Sequence, residues 1–167
     1  MKIKKIIRLS LLAGALLLTA YIGYRIVRIQ KIRSDAGRLP SFAFRTLSGE
    51  TFTGDMIRSG YSHIVINHFS PDCEFCQDMT GRIRDGQQRL GKTLVIMVAE
   101  ADSAGIGAFM DKFGLRGLPN IMVLRDPSFS FYLKFGTGAI PCFFVYDGNK
   151  QLKKRILGET KIEDLIQ

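Results

Sequence analysis

Apolar runs alternate with helical patterns along most of the chain after residue 38. Residues 62–69 have the pattern of a mostly buried strand and residues 93–99 form an apolar run, so we predict two buried strands there. Residues 103–113 repeat their apolar side chains at helical spacing, and Gly114 is a typical helix stop. The order strand, helix, strand, helix predicts a parallel central sheet.

Shorter patterns predict the remaining elements. In chain order, these are a strand at 42–47 with a turn at 48–49 and a return at 51–52, a strand at 120–124, a helical segment starting at Asp126-Pro127 and reaching Phe135, a strand at 142–146, a hairpin turn at 147–148 and a partner strand at 151–157. Thr160 and Glu163 have the spacing of a capping box, which predicts a last short helix.

A further helical pattern begins at a pair of cysteines. Residues 70–72 are polar or proline and end the strand before it. The buried face of this helix is predicted from side chains that recur at helical spacing, namely Cys76, Met79, Ile83 and Leu90. We expect Gly81 to interrupt the helix and to bend it.

Cys73 and Cys76 stand three positions apart, where the strand pattern gives way to the helical one. At this spacing a disulfide can close across one helical turn. The first sulfur would lie beside unpaired backbone N–H groups at the helix N-terminus, which favour a thiolate. This arrangement is typical of proteins that exchange thiols and disulfides.

Other uses of the cysteine pair are less well supported. A structural zinc site would need two more ligands, and the chain offers only Cys142, His63 and His68 for them. Gln77 occupies the position where covalent haem attachment requires histidine. A merely structural disulfide would close too short a loop to add much stability. We therefore predict no metal and no cofactor.

Basic charge is concentrated at the start of the chain. Residues 1–38 contain nine Lys or Arg and one acid, a net charge of +8 out of +9 for the whole chain. The rest of the chain is therefore nearly neutral, which argues against binding to nucleic acid.

The uncharged residues 9–24 predict a single-pass membrane anchor. As a helix they would extend about 24 Å, somewhat less than the bilayer core, and the flanking Arg8 and Arg25 can reach the membrane surface. A cleaved secretory signal is the alternative. Basic residues flank both ends equally, so the charges do not decide the orientation.

We therefore expect three segments: a membrane anchor over residues 1–24, a basic linker over residues 25–38 and a folded domain over residues 39–167. The start of the chain is typical of an export signal, and a thiol pair suits an oxidising compartment. We expect the domain on the periplasmic side of the cytoplasmic membrane.

With its motifs in this order, the chain resembles the membrane-anchored, thioredoxin-like thiol-disulfide oxidoreductases of the TlpA/ResA type. The resemblance covers about residues 38–167. It rests on residues 39–42 at the start of the domain, residues 65–76 around the cysteines and residues 138–148 towards the end. It implies an α/β thioredoxin-like fold with a central mixed sheet flanked by helices, an N-terminal β extension and a central insertion.

The resemblance also implies a function and a set of site residues. Cys73 would be the exposed nucleophile and Cys76 the resolving thiol. Pro141 would be a cis-proline whose neighbour Ile140 presents backbone groups to the substrate. The implied enzyme reduces disulfides in exported proteins through a mixed disulfide on Cys73. Its partners would be protein thiols or disulfides, and a membrane-bound or soluble thiol would supply its electrons.

The chain departs from this family at residues that tune the thiols. Asp72 replaces the usual aromatic residue before the first cysteine, and Asn67 stands where thioredoxin has a buried aspartate. Family members commonly carry an acid three residues after the second cysteine, where this chain has Met79. Asp78 lies about 100° away around the helix. The motif therefore leaves the acceptor of the Cys76 proton unassigned.

We also expect roles for other side chains near the thiols. Asp72, Glu74 and Asp78 surround the cysteines with negative charge, which opposes a thiolate and favours a more reducing potential. Phe75 would offer an apolar contact to the substrate. His68 is a candidate proton carrier, although a histidine in a strand is more often a packed residue.

Alternatives stay open at this point. Cys142 is either a buried small hydrophobic residue or a third thiol near the site. A peroxiredoxin-like thiol peroxidase would carry Ser or Thr three residues before its reactive cysteine, as Ser70 does here, but Ile66 replaces the proline expected further upstream. A non-catalytic, membrane-tethered binding domain would use the cysteines only to stabilise a loop.

Overall fold

The computed structural model describes residues 14, 16–24 and 37–166. The chain divides into two compact units, Met1–Gly37 and Arg38–Gln167. In the first unit, residues 16–24 are helical. The predicted anchor at residues 9–24 falls partly, and the predicted linker at residues 25–38 mostly, outside the described residues. Within the described part of the chain, no helix has the length and apolar character that crossing a bilayer requires.

The second unit is built from strands and helices in alternation. Its strands are β1 (Ala43–Arg45), β2 (Thr51–Thr53), β3 (His63–Phe69), β4 (Thr93–Ala99), β5 (Ile121–Arg125), β6 (Cys142–Asp147) and β7 (Leu152–Leu157). Its helices are α1 (Glu74–Asp85), α2 (Gln87–Leu90), α3 (Ser103–Phe113) and α4 (Phe131–Phe135), with 3₁₀ helices at Gly54–Met56 and Ile162–Leu165.

The strands form one mixed sheet in the order β2-β1-β5-β4-β3-β6-β7. Strands β3, β4 and β5 are parallel, whereas β6 runs antiparallel to β3. Both β3 and β4 are buried along almost their whole length, as expected of strands covered on both faces. The prediction of a mixed central sheet flanked by helices is confirmed.

The core lies in two layers, one on each face of the sheet. In the first layer, α1 and α3 pack against side chains such as Val65 and Phe69. In the second layer, α4 and β1 pack against Ile64 and Ile66. Because parallel strands end at the same edge, the segments after β3, β4 and β5 come together there, and β6 begins at this same edge. We call it the carboxyl edge.

Helix α3 has the bounds that the apolar pattern predicts, and local chemistry explains both ends. Before its first turn, the carboxylate of Asp102 accepts a hydrogen bond from the backbone N–H of Gly105 at 2.7 Å. At its end, Gly114 adopts a φ of +61°, a left-handed conformation that glycine adopts without steric cost.

The cysteine helix breaks at Gly86, and the predicted interruption at Gly81 is wrong. Gly81 lies inside α1 with open space around its Cα, so the helix continues through it. At Gly86 the chain packs against the C-terminal segment, where a Cβ would lie 3.1 Å from Cγ1 of Ile162. Leu90 still reaches the core, but it does so from the separate helix α2.

The predicted capping box near the C-terminus is also wrong. The last helix is a 3₁₀ turn without a side-chain cap. The hydroxyl of Thr160 bonds instead to Asp164 at 3.1 Å, and Glu163 pairs with Arg89 at 2.7 Å. Both side chains therefore have partners that compete with capping.

Helix α4 begins later than its sequence pattern predicts. Asp126 marks the approach to the helix, as expected, but the first helical residue is Phe131. The buried carboxylate of Asp126 accepts the backbone N–H of Phe131 at 2.7 Å. The acid thus acts across a loop of several residues rather than from the position next to the helix.

Candidate active site

Cys73 and Cys76 lie at the carboxyl edge, where β3 ends and α1 begins. Cys73 precedes α1, and its sulfur accepts a hydrogen bond from the backbone N–H of Cys76 at 3.3 Å. The N–H of Cys73 donates to the carbonyl oxygen of Ser70 at 3.2 Å. The turn after β3 and the first turn of α1 therefore hold the two sulfur-bearing residues side by side.

The two thiols differ in their access to solvent. Cys73 is half-buried, whereas Cys76 is 1% exposed. Burial, with a further contribution from its hydrogen bond with Cys73, raises the pKa of the Cys76 thiol to about 12. A disulfide substrate can therefore approach Cys73, while Cys76 stays protonated and covered at neutral pH.

The loop before β6 borders the same edge. The peptide bond between Ile140 and Pro141 is cis. Ile140 is exposed and Pro141 is buried. The carbonyl oxygen of Pro141 accepts the N–H of Gly158 at 2.8 Å, which ties the loop to the end of β7. Register pairs His68 with Cys142, so residues 140 and 141 lie beside the end of β3.

The acidic residues named by the sequence are exposed around the cysteines. Asp72 and Glu74 flank Cys73 in the chain. The carboxylate of Asp78 pairs with the guanidinium of Arg82 at 2.6 Å. Arg82 also pairs with Glu159 at 3.2 Å. Asp78 therefore belongs to a surface charge network along α1.

Phe75 is exposed next to the cysteines, 62% of its surface being open to solvent. It follows Glu74 in the first turn of α1, on the rim around Cys73. Its ring is available for contact with a bound molecule.

Met79 occupies the position that commonly carries an acid in the family that this chain resembles. Met79 is buried, and its sulfur accepts the backbone N–H of Thr160 at 3.4 Å. The hydroxyl of Thr80 donates to the carbonyl oxygen of Cys76 at 2.7 Å. Among the described residues, no carboxylate forms a hydrogen bond with the Cys76 thiol.

Asn67 connects β3 with β6 and forms no hydrogen bond with the thiols. Its side-chain amide donates to the carbonyl oxygens of Cys142 at 3.1 Å and His68 at 3.3 Å. The amide is buried. Since both acceptors belong to the backbone, Asn67 stabilises the start of β6 beside β3.

His68 lies on the opposite face of the sheet from Cys76. Its ring stacks on that of Phe131, with 4.1 Å between centroids. Its Nε2 is 3.7 Å from Oε1 of Glu100, and its buried Nδ1 has no hydrogen-bond partner among the described residues. Burial lowers the pKa of His68, although the backbone of Ala139 and the charge of Asp126 act in the other direction. The structure does not bring His68 to the thiols.

Two acidic residues lie near His68, and the sequence patterns did not predict them as part of the site region. Glu100 directly follows β4 and Asp126 directly follows β5. Burial, together with the charge of Asp126, raises the pKa of Glu100. The signal was available, because polar residues that follow neighbouring parallel strands meet at one edge.

Cys142 packs in the second core layer with no exposed surface. This agrees with its interpretation as a buried small hydrophobic residue. Burial raises the pKa of its thiol to about 11. His63, one of the three further ligands that the sequence offers to zinc, lies at the far end of β3 from the cysteines. In the described parts of the chain, no group of three or more His, Cys, Asp or Glu is placed to hold a metal ion.

Comparisons with known proteins place this fold among thioredoxin-like proteins. No family model matches the sequence, and no curated protein matches it either. Solved structures do match. A secreted disulfide oxidoreductase of Mycobacterium tuberculosis, described as homologous to E. coli DsbE, superposes with a TM-score of 0.60 at 21% identity, covering 72% of this chain and 85% of that one.

Two further solved structures match over similar lengths. DsbF of MTB, solved in mixed oxidised and reduced forms, gives a TM-score of 0.64 at 20% identity over 78% of this chain and 92% of that one. A peroxiredoxin-like protein of Aquifex aeolicus gives 0.60 at 17% identity over 77% and 81%. At these identities the likeness establishes a thioredoxin-like α/β fold.

Proposed function

We propose that this protein is a thiol-disulfide oxidoreductase that reduces disulfides in exported proteins. One observation carries the proposal. The sulfur of Cys73 accepts a hydrogen bond from the backbone N–H of Cys76 at 3.3 Å, and the Cys73 thiol is half-buried whereas the Cys76 thiol is buried. Unequal access gives the two thiols different tasks. The reachable one attacks, and the covered one resolves.

The reaction proceeds in two exchanges. In the first, the Cys73 thiolate attacks one sulfur of a substrate disulfide, the substrate S–S bond breaks, and one substrate thiolate leaves. In the second, Cys76 loses its proton and attacks the Cys73 sulfur of the mixed disulfide, releasing the other substrate thiolate. The product is a Cys73–Cys76 disulfide, and a thiol donor returns two electrons and two protons to restore the dithiol.

The proton of Cys76 needs an acceptor in the second exchange. Its thiol has a pKa raised to about 12, and none of the described carboxylates bonds to it. The departing substrate thiolate is next to the reacting sulfurs and is the base that this arrangement leaves available. Proton transfer then accompanies release of the reduced substrate.

The charges near the site support a reductase. Asp72 and Glu74 are exposed beside Cys73. Negative charge near the sulfurs disfavours a thiolate in the reduced protein and so favours the disulfide. A stable disulfide corresponds to a reducing dithiol, which supports a reductase over an oxidase.

The proposal includes a location. The enzyme would be of the TlpA/ResA type, held in the cytoplasmic membrane by residues 9–24 as a single-pass anchor, with its domain on the periplasmic side. The support is the uncharged segment of residues 9–24 between its basic flanks. Alkaline phosphatase fused after the domain would be active if the domain is exported and inactive if it is not.

A trapping experiment tests the exchange mechanism. In the Cys76→Ser variant, the first exchange can occur but the second cannot, so mixed disulfides with substrate proteins should accumulate on Cys73. The Cys73→Ser variant is the matched control, since it lacks the attacking sulfur and should accumulate none. Adducts are identified by non-reducing electrophoresis and mass spectrometry.

Two results would count against the reductase. An absence of adducts on Cys73 in the trap variant would remove the exchange mechanism. Rapid turnover of hydrogen peroxide that survives Cys76→Ser would support a thiol peroxidase in its place.

A further inference from the structure

Exposed apolar side chains are concentrated at the carboxyl edge. In the described part of the second unit, the large apolar side chains that are well exposed are Met56, Phe75, Phe129, Tyr132, Leu133, Ile140 and Leu157. Phe75 follows β3, Phe129 follows β5, Ile140 precedes β6 and Leu157 ends β7 at the edge where Cys73 lies. Tyr132 and Leu133 belong to α4, which connects β5 with β6. Apolar side chains scattered singly over a surface need no explanation, whereas a concentration of them marks a contact surface.

Three of these residues form what we call the α4 surface: Phe129, Tyr132 and Leu133. They are between 60 and 79% exposed. Helix α4 buries Phe131 and Phe135 against the sheet, so its opposite side faces solvent. Packing of the core therefore explains one side of α4 and leaves the other without a partner among the described residues.

Phe129 is held outward by its backbone. Its φ is +51°, a left-handed conformation that bulky side chains rarely adopt. Its N–H donates to the carbonyl oxygen of Asp126 at 3.3 Å, within the loop that the Asp126 carboxylate organises. A strained residue that exposes an aromatic ring is more readily explained by function than by stability.

The α4 surface is continuous with the loop beside the thiols. A Cβ at Gly138 would lie 4.0 Å from Cδ2 of Tyr132, an ordinary van der Waals distance. The carbonyl oxygen of Tyr132 accepts the N–H of Gly136 at 2.8 Å. Ile140 follows two residues after Gly138 and is itself exposed. A segment bound across Ile140 would therefore reach α4 directly.

Positive charge borders this surface. Lys134 is exposed on α4. Arg155 donates to the carbonyl oxygen of Gly136 at 3.4 Å, and its guanidinium lies 5.4 Å above the ring of Phe144. Neither cation forms an ion pair with a carboxylate among the described residues. The surface is thus complementary to a partner that combines apolar side chains with acidic ones.

We infer that the α4 surface binds an extended segment of the disulfide-bonded polypeptide substrate, one in which apolar side chains stand next to acidic residues. The inference rests on the proposed function and extends it to a substrate class. Aromatic rings bordered by cations could also lie on an anionic bilayer. A bilayer over α4 would cover Ile140 as well and would block polypeptides from the loop beside Cys73, so the geometry favours the polypeptide.

The test compares two disulfides in the full-length protein. One is a peptide with a disulfide flanked by Leu, Phe and Glu; the other is hydroxyethyl disulfide, which is too small to reach α4. In a variant carrying both Tyr132→Ser and Leu133→Ser, kcat/KM for the peptide should fall about tenfold. The value for hydroxyethyl disulfide should stay unchanged. Met56→Ser is the control, because it removes an exposed apolar side chain away from the carboxyl edge.

A second variant tests the charge. Lys134→Glu should weaken binding of the acidic peptide and strengthen binding of a version with Lys in place of Glu. Fluorescence anisotropy with labelled, cysteine-free copies of both peptides measures this binding without any redox step. Docking is therefore measured even if the protein reduces no disulfide, so failure of the proposed function is distinguished from failure of the docking surface.

Three results would overturn the inference. One is an equal loss of kcat/KM for both disulfides in the double variant, which would indicate damage to the site. Another is unchanged binding of both peptides in the double variant and in Lys134→Glu, with folding verified by circular dichroism. The third is binding to anionic phosphatidylglycerol vesicles that the double variant abolishes while peptide binding persists, which would assign the surface to a membrane.

Discussion

The backbone N–H of Thr160 donates a hydrogen bond to the sulfur of Met79 at 3.4 Å. This contact connects the middle of α1 with the segment after β7. Met79 is 1% exposed and belongs to the first core layer. The residue three positions after Cys76 therefore packs and holds a loop, and a thioether cannot take the proton that a carboxylate would accept.

Replacing Met79 should separate its packing role from an acidic role. Met79→Leu should cost less than about 1.5 kcal/mol in the free energy of unfolding, because the volume is nearly conserved. Met79→Glu should cost about 3 kcal/mol or more, because it buries a carboxyl group without a partner. Urea unfolding followed by circular dichroism measures both. A Glu variant as stable as the Leu variant would mean that the position is open to water.

The two glycines of the cysteine helix should respond to alanine in opposite directions. Gly81→Ala should stabilise the protein by about 0.5–1 kcal/mol, because alanine favours the helix interior and open space surrounds this Cα. Gly86→Ala should destabilise it by about 1–3 kcal/mol, since its Cβ would meet Ile162 and the carbonyl oxygen of Arg82. The pair serves as its own control in one unfolding assay. Equal effects would contradict the observed helix break.

One thiol of the native, reduced protein should react with iodoacetamide at about pH 8, and it is Cys73. Burial raises the pKa of Cys76 to about 12 and that of Cys142 to about 11. A raised thiol pKa keeps the unreactive protonated form up to that pH, so both should stay slow even near pH 10. Mass spectrometry of digested protein locates the label.

Unfolded protein is the control for this labelling. In guanidinium chloride all three cysteines should be alkylated at comparable rates, because burial is lost. Labelling of Cys142 in the native protein as fast as that of Cys73 would restore the interpretation of a third active thiol.

Stability should depend on pH through His68. Burial lowers its pKa below the ordinary value of 6.5, so the unfolded chain binds a proton more readily than the native one. The contribution of His68 is complete above about pH 6.5 and is lost as the pH falls through its folded pKa. His68→Phe should therefore flatten the decline of unfolding free energy in this range, while retaining the stack on Phe131.

His63 provides the control for this measurement, since it begins the same strand β3. In the His63→Gln variant His68 is the remaining histidine, so the fall of unfolding free energy with falling pH should persist. The protein contains two histidines, so NMR titration in the single variants assigns each imidazole without ambiguity. A His68 that titrates above 6.5 would contradict the observed burial.

Local sequence patterns predicted much of the fold, because the interactions behind each pattern join residues that are close in the chain. The apolar runs predicted β3 and β4, and Gly114 marked the end of α3, where it takes a φ of +61°. The patterns failed where distant residues compete. At Gly86, where α1 ends, a Cβ would lie 3.1 Å from Cγ1 of Ile162, and Glu163 pairs with Arg89 instead of completing a capping box.

The candidate site divides in the same way. Spacing alone put Cys73 and Cys76 within one helical turn, since that distance is set by the helix itself. The separation of His68 from the thiols, its contact with Glu100 and the exposure of the α4 surface depend on the face and edge at which strands meet. Strand order arises from packing of residues far apart in the chain, so these relationships exist only in the folded protein.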